Sequence, residues 1–132
     1  MSLNSFPARN RLVEHEVRAV LRHGLRATGT DIELKFMTRV AQDAVSGARL
    51  AIAVPKRMLK SAVARNRIKR LVRESFRLHP ISMETQDLLV TYKSTNAARL
   101  RAARSELRAR LEVLFAVVLR RAGAAQATGK IA

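Results

Sequence analysis

Hydrophobic positions recur with two periods along this chain, and each change of period marks an element. From Leu12 to His23 the apolar residues Val13, Val17, Val20 and Leu21 share one helical face. Gly24 stands where a C′ cap would fall, and His23 suits the negative end of the helix dipole. Leu25–Thr28 reads as a short strand that turns through Gly29, Thr30 and Asp31. Ile32 to Val40 then alternates, with Ile32, Leu34 and Phe36 on a dry face and Glu33, Lys35 and Met37 on a wet one. Ala41–Ala48 is a loop with Ser46-Gly47 as its turn signal. Arg49–Val54 is a dense apolar run that predicts an inner strand, ended by Pro55. Lys56–Lys60 is a basic connector. Ser61 can cap a helix running to about Leu78, where Pro80 stops it. Ile81–Gln86 reads as a loop and Asp87–Lys93 as an apolar strand. Strand, helix and strand in that order predict that Arg49–Val54 and Leu88–Tyr92 are parallel neighbours. Ser94–Ala98 is a turn with Ser94, Thr95 and Asn96 as capping candidates. A last helix from near Leu100 to near Arg121 carries the stripe Leu100, Ala103, Leu107, Leu111, Leu114 and Val118.

The segment Ala64–Arg77 concentrates the unusual chemistry. On a helix, Ile68, Leu71, Val72, Ser75 and Phe76 fall on one side. Asn66, Arg70, Arg73 and Arg77 fall on the other, flanked by Arg67 and Lys69. Solvated helix faces normally mix signs, because opposite charges at i, i+4 support the helix. A face of one sign repels itself, and a polyanion would remove that cost.

The totals sharpen this picture. The chain has 132 residues, a size that suggests one domain, and 48% hydrophobic residues suffice for a packed core. That domain is expected over 1–122, with 1–10 a flexible lead-in and 123–132 a disordered Gly/Ala tail. No apolar run reaches the roughly 18 residues of a membrane span, and Met1–Asn10 lacks the apolar core of a signal peptide. The chain has no cysteine, which excludes a disulfide-linked partner and is compatible with a cytoplasmic location. The formal net charge is +16. Lys56 to Arg77 holds nine basic residues and one acid, so half of that charge sits in a sixth of the chain. Arginine supplies most of it, and its planar fork suits phosphate. With no Trp, and with Phe76 on the apolar side, nucleic acid is favoured over a membrane.

No catalytic constellation accompanies this charge. Glu84 and Asp87 read as turn and strand-edge polarity, Ser, His and Asp are scattered, and the five glycines form no phosphate loop. His15, His23 and His79 share no ligand spacing, so no metal is assigned to protein side chains.

The pattern KRxxKxAVxRNRIKRLxRExFR, from Lys56 to Arg77, strongly resembles the signature of the bacterial ribonuclease P protein subunit. Arg11-Leu12, Glu16, Val20 and Gly24 look like that family's first helix. Arg49–Val54 looks like its third strand and Asp87-Leu88-Leu89-Val90 like its fourth. The resemblance implies an α/β (α+β) two-layer sandwich ordered αβββαβα, like domain 2 of ribosomal protein S5. It also implies a left-handed βαβ crossover carrying the basic helix, against the usual right-handed rule. It further implies a cytoplasmic ribonucleoprotein endoribonuclease that removes the 5′ leader of precursor tRNA. The catalytic RNA subunit would do the cutting, with magnesium held mainly by the RNA. Carried over by position, Arg65, Asn66, Arg67, Lys69, Arg70 and Arg73 would face that RNA. Lys56, Arg57 and Lys60 would extend the surface, and Arg77 lies on the same face. Asn66 can donate and accept, which suits a base edge, a 2′-hydroxyl or a backbone cap.

The family's second surface is a leader-binding cleft between first helix and sheet, where aromatic residues are frequent. Here the aligned positions are Val17, Leu21 and Lys35. Either leader contact is more electrostatic, or Phe36 or Tyr92 substitutes. Pro55 stands where the family commonly has serine and Leu59 where it commonly has glycine, which implies a stiffer connector. The alternatives to this reading are a ribosomal or general structured-RNA-binding protein of the same fold, a protein-only nuclease and a DNA-compacting protein.

Overall fold

The computed structural model describes residues 11–29, 31–38, 47–93 and 104–131, with the side chains of the last helix described from 106 to 121. Three helices and four strands follow the order α1 (Glu14–His23), β1 (Leu25–Thr28), β2 (Ile32–Thr38), β3 (Arg49–Ala53), α2 (Ala62–Leu78), β4 (Gln86–Tyr92) and α3 (Arg104–Ile131). This is the expected αβββαβα succession. The expected lead-in over 1–10, the loop from 41 to 46, the turn at Ser94–Ala98 and the stripe residues Leu100 and Ala103 lie outside the described residues.

The sheet order is β1-β2-β4-β3. β1 and β2 form an antiparallel pair, as do β2 and β4, while β3 runs parallel to β4 with Leu50 opposite Leu88 and Ile52 opposite Val90. The predicted parallel neighbours are therefore present. β3 is not an inner strand, however; it is an edge. Its apolar density comes from having both faces partly covered, a signal that an apolar run cannot distinguish from a central position. Its outer edge is touched at one point, where Arg11 bridges Leu50 and the Leu12 N–H donates to the Leu50 carbonyl at 3.2 Å.

One face of the sheet carries the main core. Ala27, Leu34, Val90 and Leu88 pack there against Ile68, Val72 and Phe76 of α2 and Leu107, Leu111, Leu114 and Val118 of α3. The predicted apolar face of α2 is buried as expected. Phe115 is fully buried beside the predicted stripe of α3 and meets Phe76 edge to face at 6.2 Å. The expected loop after α2 holds a 3₁₀ turn, Pro80–Met83, whose Ile81 is fully buried. α3 continues to Ile131, where a disordered tail was expected; alanine is frequent in that stretch and favours helix over coil.

The short α1 crosses the opposite face of the sheet. Val20 and Leu89 are buried there, outside the main core. Glu33 is also buried on this face, paired with Lys93 and Arg26, so the expected wet face of β2 is not wet along its length. Gly24 follows α1 with φ −72°, which is not the left-handed cap that the sequence suggested. Its glycine is required for space: a Cβ would sit 2.4 Å from the Val20 carbonyl oxygen. Gly47 does adopt a left-handed turn, with φ +86°.

A buried ionic triad ties α1 to two strands. Arg49 forks onto Asp87 with two bonds of 2.9 Å and pairs also with Glu16. Asp87 is 2% exposed, so its sequence reading as strand-edge polarity is corrected. Its partner lies 38 positions away, beyond the reach of a local pattern.

Candidate nucleic-acid interface

α2 begins because Ser61 caps it: the Ser61 hydroxyl accepts the Ala64 N–H at 3.2 Å. Its buried side then fixes which residues face outwards. Asn66, Arg67, Arg70 and Arg77 are exposed, and Lys69 and Arg73 are half-buried at its flank. Lys56, Arg57 and Lys60 are exposed on the connector. The Asn66 side chain makes no hydrogen bond among the described residues, so the backbone-cap reading finds no partner there.

Arg65 behaves differently from its neighbours. Its guanidinium donates to the Leu59 carbonyl at 2.9 Å and to the Lys60 carbonyl at 2.7 Å. Within the connector, the Pro55 carbonyl accepts from the N–H groups of Met58 and Leu59, and the Leu59 side chain is buried. The connector is thus a closed turn whose C-terminal end is held twice, by the buried Leu59 side chain and by Arg65. Lys56, Arg57 and Lys60 are presented from a fixed backbone beside the exposed face of α2.

Lys56, Arg57, Lys60, Arg67, Lys69, Arg70, Arg73 and Arg77 form no ion pair among the described residues. α3 contrasts with this surface. Arg110 pairs with Asp31 at 2.8 Å, Arg108 with Glu74 at 3.5 Å, and Arg121 donates to the Arg26 carbonyl at 3.0 Å. Arg108, Arg110 and Arg121 fasten the fold, whereas these eight cations of α2 and the connector are not engaged by an acid among the described residues. Burial, then the fields of Arg11 and Arg70, lowers the pKa of Arg73 below the ordinary arginine value. Arg11 joins this surface although it is 62 positions distant in sequence from Arg73; only the short bridge to β3 brings it there.

The second expected surface lies between α1 and the sheet. The Lys35 ammonium donates to the Leu21 carbonyl at 3.4 Å, at the negative end of α1. Leu21 is 49% exposed and Val17 half-buried, so these three residues are brought together. Phe36 is not with them. Strand alternation puts it on the face opposite Lys35, where it is 2% exposed in the main core. Tyr92 is buried in the same core. Neither ring can stack on a base, which corrects both suggestions. Further along β2, Glu33 pairs with Lys93 and, at 3.4 Å, with Arg26. Its hydrogen bond from Lys93 holds its pKa below the usual carboxylate range, against the opposing effect of burial.

Among the described residues no group of three His, Asp or Glu side chains could hold a metal ion, and no helix is long and apolar enough to cross a membrane. The surface offers phosphate neutralisation and fork-like donors, without acid–base machinery.

Comparison with known proteins gives the same direction. A family model described as Ribonuclease P matches residues 6–119. The ribonuclease P protein component of Vibrio cholerae is 49% identical over 51 residues, which are 39% of this chain and 43% of that protein. That of Aliivibrio fischeri is 42% identical over 60 residues, 46% of this chain and 51% of that protein. The chain thus spans about half the length of the curated relatives it matches. Among solved structures, a Staphylococcus aureus RNase P protein variant matches with TM-score 0.68 and 21% identity, covering 83% of this chain and 87% of the other. The Thermotoga maritima RNase P protein matches with TM-score 0.64 and 21% identity, covering 80% and 94%. These two likenesses show the shared fold.

Proposed function

The chain belongs to the ribonuclease P family, and from that premise we propose that it is the protein subunit of a cytoplasmic ribonucleoprotein that removes the 5′ leader of precursor tRNA. The observation that carries the proposal is that, among the described residues, the cations of α2 and its connector form no ion pair, while Arg108 and Arg110 of α3 are paired. Such a surface gains free energy by displacing counterions from a phosphate backbone. The catalytic RNA supplies the chemistry, and the magnesium it needs is held mainly by that RNA. Arg67, Lys69, Arg70 and Arg73 neutralise phosphates, Arg65 keeps the connector in register, and Asn66 reads a base edge or a 2′-hydroxyl. The precursor's leader lies along Val17, Leu21 and Lys35. Contact there is electrostatic and aliphatic, since among the described residues no aromatic ring faces that side of β2.

Reconstitution tests this directly. Mixed with a cognate catalytic RNA at low magnesium, the protein is expected to raise cleavage of precursor tRNA at the mature 5′ end. Absence of stimulation with folded protein and folded RNA would overturn the reading. It would favour a general structured-RNA-binding protein of the same fold.

A further inference from the structure

The free edge of β3 borders a cavity of about 310 Å³, lined by the Arg11-Leu12 segment, by Leu50, Ala51 and Ile52, and by Lys69 and Arg73 of α2. Two kinds of wall meet in it. Arg11, Lys69 and Arg73 bring three cations from two separated stretches of chain, and none of the three is ion-paired among the described residues. Leu12, Leu50 and Ile52 supply an aliphatic floor. β3 pairs with β4 on its other edge only. The Leu50 carbonyl already accepts from Leu12 on the open edge, and backbone groups alternate sides along a strand. Two residues on, Ile52 therefore turns its own N–H and C=O towards the cavity.

A purely electrostatic face needs none of this. Three cations converging on a concave site with an apolar floor and one backbone donor–acceptor pair match a ligand that is anionic at one end and flat, apolar-faced and hydrogen-bonding at the other. The volume lies at the small end of ligand pockets. Resting on the RNA-docking reading above, we propose that this cavity is a subsite for one unstacked nucleotide of the RNA subunit. Its phosphate lies against Arg11, Lys69 and Arg73, and its base covers Leu12 and Leu50 with an edge bonded to Ile52. Extruded nucleotides in loops and bulges are the usual objects of sequence-specific RNA recognition. Burial and the neighbouring Arg11 and Arg70 lower the pKa of Arg73, and a phosphate placed there opposes that shift.

The full chain, labelled with ¹⁵N, is titrated with each nucleoside 5′-monophosphate, with inorganic phosphate and with ribose 5-phosphate. Amide shifts of Leu12, Ala51 and Ile52 are expected with a nucleotide and not with the two base-free probes, together with tighter binding of at least one nucleotide. Arg73→Gln and Arg11→Gln are each expected to weaken that binding by about tenfold, while Arg18→Gln, exposed on α1, leaves it unchanged. Equal binding of nucleotide and inorganic phosphate, or shifts spread over α2 with none at Ile52, would overturn the subsite; both readouts on the wild-type protein hold even if a variant fails to fold. The reconstitution assay is read separately. Stimulated cleavage without nucleotide-specific shifts removes the subsite and keeps the function. Nucleotide-specific shifts without stimulation support the subsite and remove the proposed function.

Discussion

Asp87 is the residue on which the α1 side of the sheet depends most. It is almost fully buried, and Arg49 presents to it a fork that Glu16 holds from the other side. Removing one member of a buried pair leaves the other uncompensated. Asp87→Asn is therefore expected to lower stability by about 3 kcal/mol, measured by denaturant unfolding. A change below half a kcal/mol would mean that Arg49 is satisfied by Glu16 alone. His79 acts through pH. Its Nδ1 accepts the Ile81 N–H at 3.0 Å, and its ring lies 5.5 Å from that of Phe115. Burial pushes its pKa below 6.5, with Glu112 opposing the shift. The folded state then binds its proton less tightly than the unfolded state. The contribution is complete above pH 6.5 and is lost as pH falls from there towards the lowered folded-state value. Protonation also removes the acceptor that Ile81 uses. Unfolding free energy is expected to fall between about pH 7 and 5, and His79→Asn, which keeps an acceptor without a titrating group, should flatten that part of the profile. An unaltered slope in the variant would place the titration elsewhere.

At the scale of elements, α2 and its connector form one device. The helix face was readable from spacing alone, because amphipathic period, cap and proline stop all lie within the segment itself. Arg65 was not. In sequence it is one more cation of the run, and only the return of the connector shows its guanidinium spanning two carbonyls. The same limit explains the other departures. β3 as an edge, Phe36 behind the sheet from Lys35 and Gly24 pressed against Val20 all depend on which elements become neighbours, which periodicity does not encode. The clamp has its own consequence. Both bonds leave the same Nη1. Arg65→Ala removes them and is expected to speed amide hydrogen exchange at Met58 and Leu59 severalfold, whereas Arg67→Ala leaves exchange there unchanged. Equal protection in Arg65→Ala and wild type would mean that the buried Leu59 side chain alone holds the connector.

Over the whole molecule, the charge of +16 is less informative than its division. Arg108, Arg110 and Arg121 are engaged with Glu74, Asp31 and the Arg26 carbonyl, so α3 presents a partly neutralised surface. Among the described residues the exposed cations of α2 and its connector have no counter-charge, so positive charge is concentrated there. A polyanion bound by this field releases counterions from the phosphates that it neutralises, and affinity falls with salt in proportion to their number. Arg67→Ala combined with Arg70→Ala should make the slope of log affinity against log salt shallower by about 1 for each residue removed. Arg108→Ala combined with Arg120→Ala removes the same formal charge from the neighbouring helix α3. If net charge governed binding, the two double variants would weaken it alike. If the α2 face is the interface, only the first changes the slope, while the second shifts affinity slightly at low salt through the long-range field, which about 10 Å of screening suppresses near 0.1 M salt. Titrations of the catalytic RNA at several salt concentrations separate the two, and equal slopes for both variants would move the interface off α2.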